Sequence, residues 1–229
     1  MGKNKLKKFS ELSTFPFVYQ NFDQSQVELT DYEGKAMNTK GTWQEIFGNK
    51  KPIVLELACG GGEYTVGLAK RYPDRNFIGI DIKGARMWKG AKIVHEEKIP
   101  NVAFLRIRIE LIERYFEKGE ASEIWITFPD PHLKESKILK RLTSPRFLAI
   151  YQKILEKGNI VQLKTDDPTL YEYTVETATE SDIVTLLEHH NDIYSLPELP
   201  VPELDIKTYY ERMHLQNKKL IKYVKMKLS

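Results

Sequence analysis

The residues best suited to chemistry are two acids that flank a cluster of glycines. Glu56 lies in an apolar run just before Gly60, Gly61 and Gly62, and Asp81 closes the next apolar run, 21 residues after Gly60. Glycines after a strand let the backbone approach a ligand closely and leave the amides of the following helix accessible. An acid at the end of the next strand can accept hydrogen bonds from both hydroxyls of a ribose. The spacing therefore predicts a nucleoside site.

The acid beside the glycines distinguishes two classes of nucleoside ligand. A dinucleotide fingerprint G-x-G-x-x-G would need a glycine where the chain has Thr65, and the Gly-Lys-Ser/Thr of a phosphate loop does not follow. Glu56 would repel a pyrophosphate, whereas it would attract the ammonium of a methionine group. The loop therefore favours S-adenosylmethionine over NAD, and a glycine turn without a ligand is the alternative.

A third acid, Asp130, lies between two prolines in the run Phe128-Pro129-Asp130-Pro131. Because proline fixes φ, the two prolines stiffen the backbone around the carboxylate. The run follows an apolar strand, and ligands of parallel sheets bind outside the carboxyl ends of the strands. We therefore expect Asp130 beside the same cleft, with a bare turn as the alternative.

Short apolar runs that alternate with helical segments must position these acids. The predicted strands are residues 52–57, 76–81, 102–107, 123–128 and 159–164, with later candidates at 183–187 and 220–228. Strands that alternate with helices indicate crossover units and a sheet covered on both faces. The pattern predicts an α/β fold with a doubly wound, mostly parallel seven-stranded sheet. We expect this fold to form one S-adenosylmethionine-binding domain over residues 36–229, after a basic arm or cap over residues 1–35.

Composition limits the class of protein. The chain has 229 residues, of which 41% are hydrophobic and 29% charged, as in ordinary globular domains. Its apolar runs are shorter than the roughly 20 residues of a membrane span, so we expect no membrane association. The single cysteine, Cys59, excludes an internal disulfide and suits a cytoplasmic location.

Charge is distributed unevenly, although the formal net charge is only +3. Residues 134–146 and 207–227 are rich in lysine and arginine. Residues 166–205, in contrast, contain acids and no lysine or arginine. Such an arrangement predicts an oriented field that attracts a nucleic acid to one side of the molecule. Ordinary solvated helix faces are the alternative.

Over residues 50–215 the chain resembles the bacterial tRNA (guanine-N7)-methyltransferase family, a family of class I S-adenosylmethionine-dependent enzymes. The residues that carry the resemblance are Glu56 with the glycines, Gly79-Ile80-Asp81, Phe128-Pro129-Asp130-Pro131 with Lys134 and Lys140-Arg141-Leu142, Thr165-Asp166, and Thr208-Tyr209-Tyr210-Glu211. The run Phe-Pro-Asp-Pro with basic residues after it is specific to that family, whereas the glycine loop alone would indicate only a methyltransferase.

The resemblance implies a role for each matching position. The residues expected at S-adenosylmethionine are Glu56, Gly60, Gly62, Asp81, Ile82, Arg108, Ile109 and Asp130. The residues expected at the nucleotide are Lys134, Asp166, Thr208, Tyr210 and Glu211. Asp130 is the expected catalytic residue, tRNA the expected partner with its variable loop as target, and no metal is expected.

The implied reaction is methylation of guanine N7. This atom has an in-plane lone pair and no proton, so the enzyme needs positioning and electrostatics rather than a covalent nucleophile. Asp130 would stabilise the cationic product base. Asp130 or Asp166 could accept hydrogen bonds from N1 and N2 of guanine, which would select guanine over adenine.

Some positions depart from the family pattern. His132-Leu133 stands where the family has Trp-Pro, and Ala58 stands where methyltransferases usually have a glycine. Arg108 occupies the place of an Asp or Asn that faces the adenine of the donor; Glu110 could replace it as an acceptor.

These departures keep two alternative functions open. One is a methyltransferase acting on adenine N6 or on a small molecule, although the D-P-P-aromatic motif of adenine N6 enzymes does not fit Asp130-Pro131-His132. The other is a non-catalytic RNA-binding relative. The sequence leaves the oligomeric state open between monomer and homodimer.

Overall fold

Apolar runs of five residues form the centre of the sheet. In the computed structural model, which describes residues 3–229, every residue of β4 (Ile53–Leu57) and of β5 (Asn76–Ile80) is buried. A strand buried on both faces requires a covering layer on each side of the sheet. Two clusters of buried apolar residues supply those layers, and they include Trp43 and Trp125.

Within residues 3–229 one sheet contains ten strands in the order β3-β2-β1-β6-β5-β4-β7-β8-β10-β9. Neighbours from β1 to β8 along this order are parallel, and β10 is antiparallel to both β8 and β9. The remaining strands are β1 (Val18–Gln20), β2 (Leu29–Thr30), β3 (Ala36–Met37), β6 (Val102–Arg106), β7 (Ala121–Thr127), β8 (Leu155–Thr165), β9 (Val184–His190) and β10 (Lys222–Leu228). The predicted doubly wound, mostly parallel sheet is confirmed.

The strand number differs from the predicted seven because the N-terminal segment adds three short strands. β1 pairs in parallel with β6, with Val18 opposite Phe104, and all three of its residues are buried. Strands of two or three residues are too short to show an alternating pattern, which is why the sequence suggested only an arm or cap. The first two residues of that predicted arm lie outside the described residues.

Helices cover the sheet and connect its strands. They are α1 (Lys3–Leu12), α2 (Trp43–Phe47), α3 (Glu63–Arg71), α4 (Gly84–Glu97), α5 (Pro145–Tyr151), α6 (Pro168–Glu180) and α7 (Tyr209–Gln216). Short 3-10 helices occupy Ile109–Arg114, Glu135–Lys140, Ile193–Ser195 and Pro202–Asp205. Along residues 3–229, the helices are all too short or too polar to cross a lipid bilayer.

The strand order reverses at β4, and this reversal determines where a ligand crevice can open in the sheet. β4 pairs with β5 on one side and with β7 on the other, so the connections after β4 and after β7 leave the sheet in opposite directions. In open parallel sheets such a switch point opens a crevice at the carboxyl ends of the strands. The glycine loop, Asp81 and Asp130 all follow strands at this edge.

Candidate active site

A cavity of about 1130 Å³ opens at the carboxyl ends of β4 to β8. The predicted site residues that line it are Glu56, Gly60, Asp81, Ile82, Arg108, Ile109, Asp130, Asp166, Thr208 and Tyr210. Three other predicted residues, Gly62, Lys134 and Glu211, do not line it. The topology therefore brings together residues from five separate loops and from the start of α7.

The glycine loop is tied directly to the acid after β5. The Gly60 amide donates to Oδ2 of Asp81 at 2.9 Å, and the Lys83 amide donates to Oδ1 at 2.7 Å. These bonds hold the Asp81 carboxylate at the cavity wall. The loop begins with Ala58 in the left-handed region at φ 57°, a conformation that a glycine would adopt without strain.

Gly62 serves packing rather than the cavity. It is the N-cap of α3 with φ 69°, and its amide donates to the carbonyl of Cys59 at 2.8 Å. A Cβ at this position would lie 2.7 Å from the ring of Phe104 and 3.3 Å from the Cα of Gly90. The glycine is therefore required for the close approach of α3 to β6 and α4.

Glu56 lies at the base of the cavity and is only 3% exposed. Its Oε2 accepts a hydrogen bond from the Thr65 amide at 2.8 Å and a very short one from the Thr65 hydroxyl, while its Oε1 accepts from the Thr127 hydroxyl at 2.6 Å. Burial raises the pKa of Glu56 to about 7, against the lowering effect of the two threonines. Thr65, the residue that breaks the dinucleotide fingerprint, is thus a partner of the acid.

Cys59 lies between these groups, buried in the glycine loop at the cavity wall. Burial raises the pKa of its thiol well above the usual value, and the nearby carboxylates of Glu56 and Asp81 raise it further. A thiol in this environment stays protonated and is a poor nucleophile.

The loop after β6 contributes Arg108, Ile109 and Glu110 to the cavity lining. Arg108 is exposed and is the N-cap of the 3-10 helix Ile109–Arg114. Its guanidinium can only donate hydrogen bonds. The role of Arg108 at the donor adenine stays a prediction.

The turn around Asp130 has an unusual backbone. Both Phe128, at φ 47°, and His132, at φ 46°, adopt the left-handed conformation at its two ends. The His132 amide donates to Oδ1 of Asp130 at 3.0 Å, while the Asp130 side chain remains 71% exposed. The carboxylate is therefore exposed at the cavity, where the end of the preceding strand predicted it.

The basic residues after this turn divide into two groups. Lys134, Lys137, Lys140 and Arg146 are exposed beside the cavity. Arg141 is only 4% exposed, and its guanidinium donates to main-chain carbonyls of the turn. Arg141 is therefore not part of the exposed basic surface of residues 134–146, because its guanidinium is buried against the turn.

Asp166 follows β8, the strand next to β7, lines the cavity, and has Lys219 and His214 as close neighbours. Its Oδ2 is 2.6 Å from Nζ of Lys219, and its Oδ1 is 3.4 Å from Nε2 of His214. The His214 ring also stacks on Phe128 and Tyr210, with centroid distances of 5.9 and 6.5 Å. His214 therefore connects the β8 rim, the Asp130 turn and α7.

Glu211 faces away from the cavity. Its side chain is fully buried, its Oε2 accepts from Nζ of Lys164 at 2.7 Å, and its Oε1 accepts from the Tyr194 hydroxyl at 2.6 Å. The Lys164 ammonium also donates to the carbonyl of Leu204 at 2.7 Å. In this arrangement Glu211 anchors α7, and direct contact with a nucleotide stays a prediction.

Sequence reasoning did not single out Lys164 or His214, and it noted Arg141 only as part of the basic run that carries the resemblance. A lysine inside an otherwise apolar strand is a detectable signal, because such a charge needs a buried partner. An arginine in a lysine-rich run gives no such signal, since exposed and buried arginines have the same neighbours in sequence.

Solved RNA methyltransferases share the fold of the chain. The 16S rRNA methyltransferase KamB superposes with a TM-score of 0.60 and 14% identity, over 85% of this chain and 96% of that chain. A mutant of the 16S rRNA (adenine(1408)-N(1))-methyltransferase from Catenulisporales acidiphilia, with cosubstrate SAM, gives a TM-score of 0.57 and 12% identity, over 85% and 93%. At these identities the likeness shows the fold alone.

Sequence comparison is more specific. A family model described as "Putative methyltransferase" matches residues 50–224. The tRNA (guanine-N(7)-)-methyltransferase of Christiangramia forsetii is 48% identical over 100% of this chain and 99% of its own length. That of Listeria innocua is 36% identical over 75% of this chain and 78% of its own. The resemblance inferred from the motifs is confirmed: this chain belongs to the tRNA (guanine-N(7)-)-methyltransferase family.

Proposed function

We propose that the chain transfers a methyl group from S-adenosylmethionine to N7 of a guanine in the variable loop of tRNA. The observation that carries the proposal is the convergence of Asp81 and Asp130 on one cavity at the switch point of the sheet. Asp81 suits the ribose of a nucleoside donor, and Asp130 suits a base that becomes cationic. Family membership supports the same pairing.

The residues around the glycine loop fit the donor. Each Asp81 oxygen accepts one backbone amide and keeps a second lone pair for a ribose hydroxyl. A Cβ built at Gly60 would meet only the Ala58 carbonyl, at 3.9 Å, so the loop leaves open space for a ligand. Asp81 would hold the ribose, and the carboxylate of Glu56 would complement the amino group of the methionine part.

The chemistry requires little from the side chains beyond placement and charge. The donor supplies an electrophilic methyl group on a sulfonium; guanine N7 forms the new N–C bond with its lone pair, and the S–C bonding pair stays on sulfur. Because N7 carries no proton, a general base is unnecessary. Asp130 compensates the positive charge that the methylated base acquires.

Acceptors on the cavity wall can distinguish guanine from adenine. Guanine presents N1–H and N2–H donors, which adenine lacks, and Asp166 is an acceptor on the cavity wall that could receive them while Asp130 lies beside N7. The stacked rings of Phe128, His214 and Tyr210 also line the cavity and offer flat surfaces for a base. The acceptor base would therefore be bound by its face and by its edge.

Exposed cations around the cavity suit the tRNA backbone. Lys134, Lys137 and Lys140 flank the Asp130 turn, and Arg86 and Lys89 of α4 line the opposite side of the cavity. Phosphate contacts of this kind supply affinity and release counterions, which makes binding strongly salt-dependent.

A transfer assay tests the proposal. The chain is incubated with undermethylated tRNA and labelled S-adenosylmethionine, and the product is cleaved by chemistry selective for N7-methylguanosine. We expect label and cleavage at one guanine, and we expect Asp130→Asn to lose transfer while retaining donor and tRNA binding. Label at adenine N6, or donor binding without any transfer, would contradict the proposal.

A further inference from the structure

Arg141 differs from every other cation in its tract because its side chain is buried. The residue is 4% exposed, whereas its neighbours Lys140 and Arg146 are exposed. Burial of a guanidinium is costly unless its N–H groups find acceptors. The contacts of Arg141 therefore indicate what the residue does.

Two of those contacts are main-chain carbonyls of the turn that carries Asp130. Nε of Arg141 donates to the carbonyl of Pro131 at 3.0 Å, and Nη2 donates to the carbonyl of His132 at 3.4 Å. The guanidinium carbon lies 4.5 Å from the centroid of the Tyr173 ring on α6. Arg141 thus links the turn to a helix on the face of the sheet.

The turn needs such support because its backbone is strained. Phe128 and His132 are non-glycine residues with positive φ, a conformation that the Cβ of an L residue disfavours. The Asp130 side chain is 71% exposed, and it bonds within the turn to the His132 amide. The direction of the carboxylate is therefore set by the backbone that Arg141 holds.

We propose that Arg141 is a positioning residue, which holds the turn of residues 128–132 so that Asp130 faces the reacting base. It acts through two carbonyl oxygens and does not contact RNA phosphates. The inference rests on the proposed function, because it takes Asp130 as the group beside N7.

Arginine is required for this role by its shape. A planar guanidinium can donate to two carbonyls along one edge while its face rests on an aromatic ring. Lysine keeps the charge but is a point donor and cannot make the same set of contacts. Arg141→Lys therefore separates charge from geometry.

The test compares rate and affinity in Arg141→Lys and Arg141→Met. With saturating donor and tRNA, we expect single-turnover methylation to fall by about 100-fold in both variants, as for a small misplacement of a reacting group. We expect the tRNA dissociation constant and its salt dependence to stay as in the wild type. Lys157→Met, which removes an exposed cation at the start of β8, is the matched control and should change neither quantity.

Lys140→Met serves as the reference for loss of a phosphate contact. It should weaken tRNA binding and reduce the slope of log K against log salt concentration by about one unit. If the Arg141 variants behave in that way and keep the saturated rate, Arg141 is a phosphate contact and the inference is wrong. A wild-type rate in Arg141→Lys would also overturn it.

Folding and the proposed function are monitored separately. Donor binding shows that the glycine loop is folded. Where an Arg141 variant fails to bind the donor, Tyr173→Leu is tested in its place, because it removes the ring that contacts the guanidinium and leaves the carbonyls of Pro131 and His132 in place. A wild-type chain that does not methylate guanine N7 contradicts the proposed function instead. In that case crystal structures of the wild type and of Arg141→Lys test the inference directly. An identical position of residues 128–132 in the two structures would refute it.

Discussion

At the scale of single residues, Glu56 shows how burial and ligand binding act on one carboxylate in opposite directions. Burial raises its pKa to about 7, although Thr65 and Thr127 donate hydrogen bonds to it. An ammonium bound nearby favours the ionised form and lowers that pKa. Donor binding and ionisation of Glu56 are therefore linked.

We predict that affinity for S-adenosylmethionine increases between about pH 5.5 and about pH 7.5, since Glu56 must lose its proton to attract the ammonium. Glu56→Gln should bind more weakly at the upper pH and lose the dependence. Titration calorimetry over this range measures both effects, and Glu96→Gln, at an exposed acid on α4, is the control. If the affinity of Glu56→Gln depended on pH as strongly as that of the wild type, Glu56 would not contact the donor.

The effect of Glu56 on stability has the opposite sign. A carboxyl group whose pKa is higher in the folded state stabilises the fold below its ordinary pKa of 4.5, and this contribution is lost as the pH rises through about 7. Above that pH, Glu56→Gln should therefore be at least as stable to unfolding as the wild type. Weaker donor binding by this variant could then not be attributed to loss of the fold.

At the scale of elements, a buried ion pair fixes α7 over the cavity. Lys164 of β8 and Glu211 of α7 have fully buried side chains and meet at 2.7 Å. The same helix carries Tyr210 and His214, whose rings line the cavity. The pair therefore determines where two candidate base contacts lie, although neither of its members lines the cavity.

We predict that Glu211→Ala lowers the free energy of unfolding by about 3–5 kcal/mol, because it leaves the Lys164 ammonium buried without its partner. The double variant Lys164→Met with Glu211→Leu should be less destabilised than Glu211→Ala, since both charges are removed. Urea unfolding followed by tryptophan fluorescence measures the differences. A double variant less stable than the single one would show that the pair itself stabilises the fold.

The central strands were predictable from sequence, whereas the added ones were not. β4 and β5 are continuous apolar runs that begin and end within a residue or two of the predicted positions. β1 has three residues, and it joins the sheet because β6 presents a free edge to it. Pairing with a distant edge leaves no periodicity in so short a segment.

The site was partly predictable for a related physical reason. The positions of Asp81 and Asp130 follow from strand ends, and both line the cavity. The inward direction of Glu211 depends on Lys164 and Tyr194, which lie 47 and 17 positions away in the chain. Contacts over such separations are set by the fold and have no local signature.

At the scale of the whole molecule, charge is arranged around the cavity. The exposed lysines Lys134, Lys137 and Lys140 follow the Asp130 turn in the chain, while the acidic stretch 166–205 begins after β8. An oriented distribution of this kind attracts a polyanion to one face and repels it from another.

We predict that joint replacement of Lys134, Lys137 and Lys140 by Met weakens tRNA binding and reduces the slope of log K against log salt concentration by about one unit per lysine. The matched control replaces three exposed lysines away from the cavity, Lys35, Lys50 and Lys157. Filter binding at several salt concentrations gives both slopes. A similar decrease in the control would indicate attraction by net charge without a defined interface.

The buried Cys59 has a consequence for the durability of the enzyme. A sulfur atom lies in the loop proposed to hold an alkylating reagent, so a thiolate there would be methylated by the enzyme's own donor. The raised pKa of the thiol keeps it protonated and therefore unreactive. Cys59 should accordingly remain unmethylated over many turnovers. Brief treatment with iodoacetamide should also leave this thiol unmodified.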